Sequence, residues 1–235
     1  MELQCLGTGS RGNCYILKTD NRYILLDAGL PIKKIVKKIN LNDLSFAFIS
    51  HEHNDHSEAM YQLSQRGVQV IFGGQTKDWQ KRQIKKYFNG NVYTFGVEHG
   101  EAICNACVIE DVEDTILYAT DFNLCKWDLR MFHFTSVIVE CNFVEHLITQ
   151  NMINSNPKFK RQINTHLGLN GLELFLGKLN LDKCKEIILV HRSTDDSIYC
   201  QSEVMMHIFS KYLKPVGICQ TKGGIEWFGK DEFDI

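Results

Sequence analysis

Six consecutive residues, His51-Glu52-His53-Asn54-Asp55-His56, constrain this chain more than any other stretch. Four of the six side chains can bind a metal ion, in the pattern H-x-H-x-D-H. The hexapeptide follows Phe46-Ala47-Phe48-Ile49-Ser50, an apolar run of strand length, and precedes a helix start at Ser57-Glu58-Ala59. A strand that ends in a ligand-rich loop holds its donors rigidly. Side chains alternate along extended backbone, so His51 and His53 point the same way and both can bind one ion. Asp55 and His56 come after the chain turns and can face a second ion. Imidazole and carboxylate suit zinc, manganese or iron, and paired ions sit about 3.5–4 Å apart.

The rest of the chain reads as many short strands followed by alternating strands and helices. Strands are expected over 3–6, 14–18, 23–27, 68–72, 91–95, 102–110, 115–119, 136–140, 187–190, 216–219 and 224–228. Helices are expected from Pro31 to Asn40, over 57–66 and 77–88, from an Asn170 cap, and over 203–213. The loop Gly7-Thr8-Gly9-Ser10-Arg11-Gly12-Asn13 resembles a phosphate cradle in composition. It lacks the Walker lysine and no helix follows, so its glycines are assigned to tight turns near a site. No linker, repeat or low-complexity tract interrupts the chain, and a single domain over 1–235 is expected.

Composition excludes several classes. A formal net charge of −2 does not describe a strongly basic nucleic-acid binder, although local patches remain open: Lys81, Arg82, Lys85 and Lys86, and Lys158, Lys160 and Arg161. Nine cysteines, an odd number, suit a reducing compartment, and Cys104 and Cys107 are expected as reduced core thiols. No stretch approaches the roughly 20 apolar residues of a membrane span, and no signal segment is visible. A cytoplasmic protein without membrane association is expected, with oligomerisation left open.

Three further donors stand at strand ends: His99, Asp121 in Ala119-Thr120-Asp121, and His191 in Leu189-Val190-His191. Together with the hexapeptide they make a seven-residue set. The sequence resembles the metallo-β-lactamase fold superfamily, and within it the YycJ-type hydrolases. The stretches that carry this are the glycine loop, Leu26-Asp27-Ala28-Gly29, the hexapeptide, Ala119-Thr120-Asp121, Glu140-Cys141-Asn142, Pro157 to Arg161, His166-Leu167-Gly168 and His191-Arg192-Ser193.

The resemblance implies an α/β (α+β) architecture, an αββα sandwich of two mixed β-sheets flanked by helices, with metals at one edge. It implies that His51, His53 and His99 hold one divalent ion, that Asp55, His56 and His191 hold a second, and that Asp121 bridges them, the ions being Zn or Mn. It further implies hydrolysis by a hydroxide shared between the ions. Asp55 would orient that hydroxide, His166 would either donate a proton to the leaving oxygen or serve as a structural histidine capping the helix that begins near Asn170, and Asn142, Lys158 and Arg161 would contact substrate. The expected activity is a phosphodiesterase or nuclease, exonuclease-like, acting on nucleic acid, with DNA ahead of RNA. Hydrolysis of a small phosphodiester such as a cyclic nucleotide is the alternative. A non-catalytic metal-stabilised binding protein ranks third. The chain departs from the family pattern at Phe143, Gly168, Asp195 and Asp196, and those departures are expected in the substrate pocket.

Overall fold

In a computed structural model of the chain, residues 1–19, 22–72, 88–100 and 102–230 are described. The expected helix over 77–88, with Lys81, Arg82, Lys85 and Lys86, lies outside the described residues apart from Phe88, as does the tip of the hairpin at Asp20 and Asn21.

Two mixed sheets stack face to face. The first has the order β1 (Glu2–Gly7), β2 (Cys14–Lys18), β3 (Tyr23–Leu26), β4 (Leu44–Ile49), β5 (Val70–Phe72). The second runs β12 (Ile225–Phe228), β11 (Val216–Cys219), β10 (Glu186–Val190), β9 (Ser136–Glu140), β8 (Thr115–Ala119), β7 (Ala102–Glu110), β6 (Asn91–His99). Parallel pairs, β3 with β4 and β4 with β5, form one end of the first sheet, and parallel strands β8 through β11 occupy the middle of the second.

These strands read as unbroken apolar runs because both faces are buried. Alternate residues enter different cores. Phe46, Phe48, Tyr118, Ile138 and Ile188 meet between the sheets. Their neighbours Ala47 and Ile49 turn to the core under α1 (Ile32–Ile35) and α3 (Met60–Gln65). Leu117, Val139 and Leu189 turn instead to the core under α6 (Leu169–Leu176) and α7 (Gln201–Tyr212). The layers are helix, sheet, sheet, helix, as expected. Cys104 and Cys107 fall in different cores, on opposite faces of β7, and all nine cysteines are free thiols.

Some boundaries differ from expectation for identifiable reasons. The helix expected from Pro31 to Asn40 is regular only over Ile32–Ile35, after which Lys38 N–H and Ile39 N–H both donate to Ile35 O and tighten the chain. The Asn40 side chain then accepts from Asn42 N–H and starts a short 3-10 turn into β4. Asn170 does not cap its helix. Its N–H donates to the Glu145 carboxylate (3.0 and 3.1 Å), which does that work from another turn. A helical turn, α2 (Asn54–Ser57), begins inside the metal hexapeptide.

Candidate metal centre

The C-terminal ends of the parallel strands converge on one edge of the sandwich, the place where open α/β sheets build their sites. β3 delivers Asp27, β4 delivers Ser50 and His51, β8 delivers Asp121, β9 delivers Glu140, and β10 delivers His191. Asp27, Asp121 and His191 all take left-handed backbone, with φ of 56°, 49° and 50°. Such backbone costs a non-glycine residue about 1–3 kcal/mol and is typical of functional sites. It halts each strand and turns the next side chain across the edge.

All seven predicted donors are brought together. His51, His53, His99 and Asp121 place one donor atom each within 4.8 Å of one another, and so do Asp55, His56 and His191. Asp121 Oδ2 lies 3.4 Å from His56 Nε2, 3.5 Å from His51 Nε2 and 3.7 Å from His99 Nε2, so it faces both groups. Asp55 Oδ2 lies 3.6 Å from His56 Nε2 and 3.7 Å from His191 Nε2.

The outer nitrogens of the rings are held from behind. His99 Nδ1 donates to Thr165 O (2.9 Å), and His56 Nδ1 donates to Asp27 Oδ2 (2.6 Å). His191 Nδ1 donates to Asp121 Oδ1 (3.0 Å) and Glu140 Oε1 (3.2 Å). These partners only accept, so each ring keeps a proton on Nδ1 and leaves Nε2 facing inward as the atom that can bind a metal. His191 Nε2 is buried and has no hydrogen-bond partner. A buried ring nitrogen with nothing to bond, aimed at a carboxylate 3.7 Å away, is what a cation between the two would explain.

Charge is poorly balanced in the cluster by itself. Burial, with His56 adding to it, pushes His51 down to about 3. Burial also acts against charge on His56, but the Asp121 and Asp27 carboxylates outweigh it and lift that ring to about 10. Two histidines 4.3 Å apart between ring centres are thus driven in opposite directions. The donors are all nitrogen and oxygen, which suits a borderline divalent ion such as zinc or manganese.

The support around these donors was only partly legible. Asp27 is fully buried and accepts from Ser50 N–H (2.7 Å), Ser50 Oγ (3.0 Å) and Tyr118 OH (2.6 Å), as well as from His56. Asn13 Nδ2 lies 2.9 Å from His56 Nε2 and its Oδ1 accepts from Gly9 N–H, which ties the glycine loop to the hexapeptide. Asn13 N–H also donates to Asp55 O (2.7 Å). That approach requires Gly29, where a Cβ would stand 1.7 Å from Asp55 O, and Gly12, at φ 129°, where a Cβ would stand 2.1 Å from Gly29 O. The D-x-G spelling of Asp27-Ala28-Gly29 was the available signal.

The cluster opens into a cleft of about 270 Å³. His166 lines it, and its Nδ1 donates to the fully buried Glu140 (2.6 Å), whose other oxygen accepts from Phe122 N–H (3.0 Å). Lys158 and Arg161, one helical turn apart on α5 (Pro157–Thr165), line the cleft and Lys160 does not. Asn142 lines it as well, with its amide committed: Nδ2 donates to His191 O (2.7 Å) and Oδ1 accepts from Gln162. Arg192 and Ser10 also line the cleft and were not singled out in the sequence. Phe143, Gly168, Asp195 and Asp196 do not line it. A Cβ at Gly168 would stand 2.5 Å from both Phe143 and Glu145, so the first two departures are a matched packing pair.

With this geometry in place, comparisons with known proteins agree. Residues 7–78 match the Metallo-beta-lactamase superfamily sequence profile. The structure aligns with the metallo-beta-lactamase fold protein YhfI from Bacillus subtilis at a TM-score of 0.67 and 16% identity, covering 96% of this chain and 98% of that one. The chain is therefore a metallo-β-lactamase-fold protein. Among curated relatives it is similar to the exodeoxyribonuclease WalJ of Streptococcus pneumoniae, 36% identical over 87 residues, which are 35% of this chain and 32% of that protein. It is also similar to the exodeoxyribonuclease YycJ of Bacillus anthracis, 26% identical over 125 residues, which are 43% of this chain and 47% of that protein. The matched stretches thus span about a third to a half of those relatives. Among the described residues, no helix is long and apolar enough to cross a membrane.

Proposed function

We propose that the protein is a metal-dependent phosphodiesterase acting on nucleic acid, with DNA ahead of RNA and an exonuclease mode. The observation that carries this is the lining of the cleft. Lys158, Arg161 and Arg192 bring three cationic side chains beside the His/Asp cluster, and among the described residues no aliphatic or aromatic hydrocarbon side chain lines the cleft. An apolar ester or lactam would find nothing to bury against there, whereas a phosphodiester would find its charge matched.

In this reading His51, His53 and His99 would hold one divalent ion, Asp55, His56 and His191 would hold the other, and Asp121 would serve both sites. When bound, such a pair supplies an activated water at neutral pH and neutralises charge developing on the phosphoryl oxygens. Asp55, half-buried at the mouth, orients the attacking water. Lys158, Arg161 and Arg192 position the phosphodiester. His166, its Nδ1 held by Glu140, donates a proton from Nε2 to the leaving oxygen. Asn142 and Gln162 hold the His191 segment in place. As a single domain over 1–235 the chain supplies every one of these groups.

The test is release of nucleotides from 5′-labelled duplex DNA, with RNA and a cyclic nucleotide in parallel and Mn²⁺ or Zn²⁺ added. Cleavage of the polymers supports the reading. Turnover of the cyclic nucleotide alone would replace it with the small-molecule alternative.

A further inference from the structure

A second groove, of about 340 Å³, lies beside Gln4, Cys5 and Leu6 of β1, just before the glycine loop. Lys34, Lys37 and Lys38 line it from the turn of helix at 32–39, and Lys222 lines it from the hairpin between β11 and β12. The two walls are brought together by backbone. Gly224 N–H donates to Cys5 O (2.9 Å), and Gly223 lies so close to β1 that a Cβ would stand 3.1 Å from both Cys5 O and Leu6 O. Both glycines have positive φ, 89° and 90°, so this turn is shaped for the approach.

The charge in this groove is one-sided. Among the described residues no acid lines it, in a chain with more Asp and Glu than Lys and Arg. Lys126, Lys185 and Lys211 elsewhere each pair with an acid, Glu98, Asp114 and Glu173 in turn. Among the described residues, none of the four groove lysines has a carboxylate partner. Lys34 and Lys38 line the same groove and repel each other, and an anion between them removes that repulsion. The groove and the cleft share no lining residue, yet Leu6 at one end of the loop lines the groove and Ser10 near its tip lines the cleft. Exposed Arg11 follows on the same loop.

We propose that the groove of Lys34, Lys37, Lys38 and Lys222 is a second backbone contact, gripping phosphates of a nucleic-acid strand several nucleotides away from the bond in the metal cleft. This rests on the nucleic-acid reading of the cleft. It adds that binding strength depends on strand length, because a short fragment fills the cleft without reaching the groove.

The experiment compares the full chain with its Lys34→Gln/Lys38→Gln/Lys222→Gln variant. Two fluorescent phosphorothioate oligonucleotides that resist cleavage are used, one of 20 nucleotides and one of 4, each titrated across a salt series. The substituted side chains are exposed, and an unchanged melting temperature verifies the fold. The variant is expected to bind the 20-mer about 10-fold more weakly and to lose roughly 0.7–0.9 from the slope of log affinity against log salt per broken contact, with the 4-mer affected less than about 2-fold. Unchanged 20-mer affinity and slope, or equal weakening of both lengths, overturns the proposal, as does a wild-type chain that does not bind the 20-mer. A variant that loses phosphatidylserine vesicles while keeping the 20-mer would assign the groove to a membrane surface instead. DNA cleavage by the wild-type chain is scored separately, so a silent groove and a wrong substrate class give different results.

Discussion

Glu140 Oε1 lies 2.6 Å from His166 Nδ1, and the same oxygen lies 3.2 Å from His191 Nδ1. One fully buried carboxylate therefore orients both the ring assigned to proton donation and a ring assigned to metal binding. Burial pushes this carboxyl up, but His166 and His191 hold it below its ordinary range, so it is ionised at neutral pH.

His166→Ala is expected to lower DNA hydrolysis by about 10²–10⁴-fold, the usual worth of a positioned acid. A diester with a p-nitrophenolate leaving group needs little protonation, and its hydrolysis should fall less than about 10-fold. Glu140→Gln should lower kcat on DNA by about 10²-fold with KM within a few-fold, because the amide no longer holds His166 Nδ1 as the carboxylate does. Steady-state kinetics on both substrates check this. Equal losses on both would assign His166 to structure.

Asp121 faces both donor groups, so its charge should decide how many ions are held. Asp121→Asn keeps the size and tolerates the left-handed backbone at φ 49°, which Ala does not favour. Elemental analysis should find two divalent ions per wild-type chain at saturation and fewer in the variant. Hydrolysis should be abolished in Asp121→Asn and in Asp121→Ala, with far-ultraviolet circular dichroism retained.

Metal should stabilise the fold. Free metal at about 100 times its dissociation constant contributes about 2.7 kcal/mol per site, and a chain of this length gains about 2–4 °C in Tm per kcal/mol. Chelation should lower Tm by the corresponding amount. Histidine must give up its inward proton to bind, so apparent metal affinity should rise as pH is raised through the neutral range and fall on acidification. Calorimetric titration at several pH values measures this. Affinity independent of pH would contradict histidine ligation.

Gly29→Ala places a Cβ 1.7 Å from Asp55 O, with backbone on both sides of the clash. Destabilisation of at least about 3 kcal/mol is expected, together with loss of bound metal, because the hexapeptide must move. Denaturant melts and metal content provide the check.

Lys158→Ala and Arg161→Ala should weaken polymer binding and flatten its salt dependence by roughly 0.7–0.9 per contact. Lys160→Ala should do neither, since Lys160 does not line the cleft. Binding isotherms at several salt concentrations separate the three.

The donor set was legible because metal binding needs particular side chains and the hexapeptide packs four of them into one loop. His99, Asp121 and His191 were legible because each closes an apolar strand. Glu140 and Asp27 carry no such mark as individual residues. A buried acid at a strand end is spelled like a turn residue, and its role appears only when the sheets bring His166 and His56 against it. Arg192 was overshadowed by its neighbour, and Lys158 and Lys160 could not be told apart until the helix gave them different faces. The regular part of the helix after Pro31 was overestimated because its apolar spacing persists through a tighter turn that serves the entry to β4.

Asp121 and His191 arrive two residues and one residue after β8 and β10, strands of five residues each. In an extended chain the side a residue faces depends on whether its distance along the strand is odd or even. Each donor's aim is thus a matter of parity. Loss or gain of one residue in either strand would leave composition, hydrophobicity and nearly all the core chemistry intact and still present the donor to the wrong layer. These strands can change length only by twos.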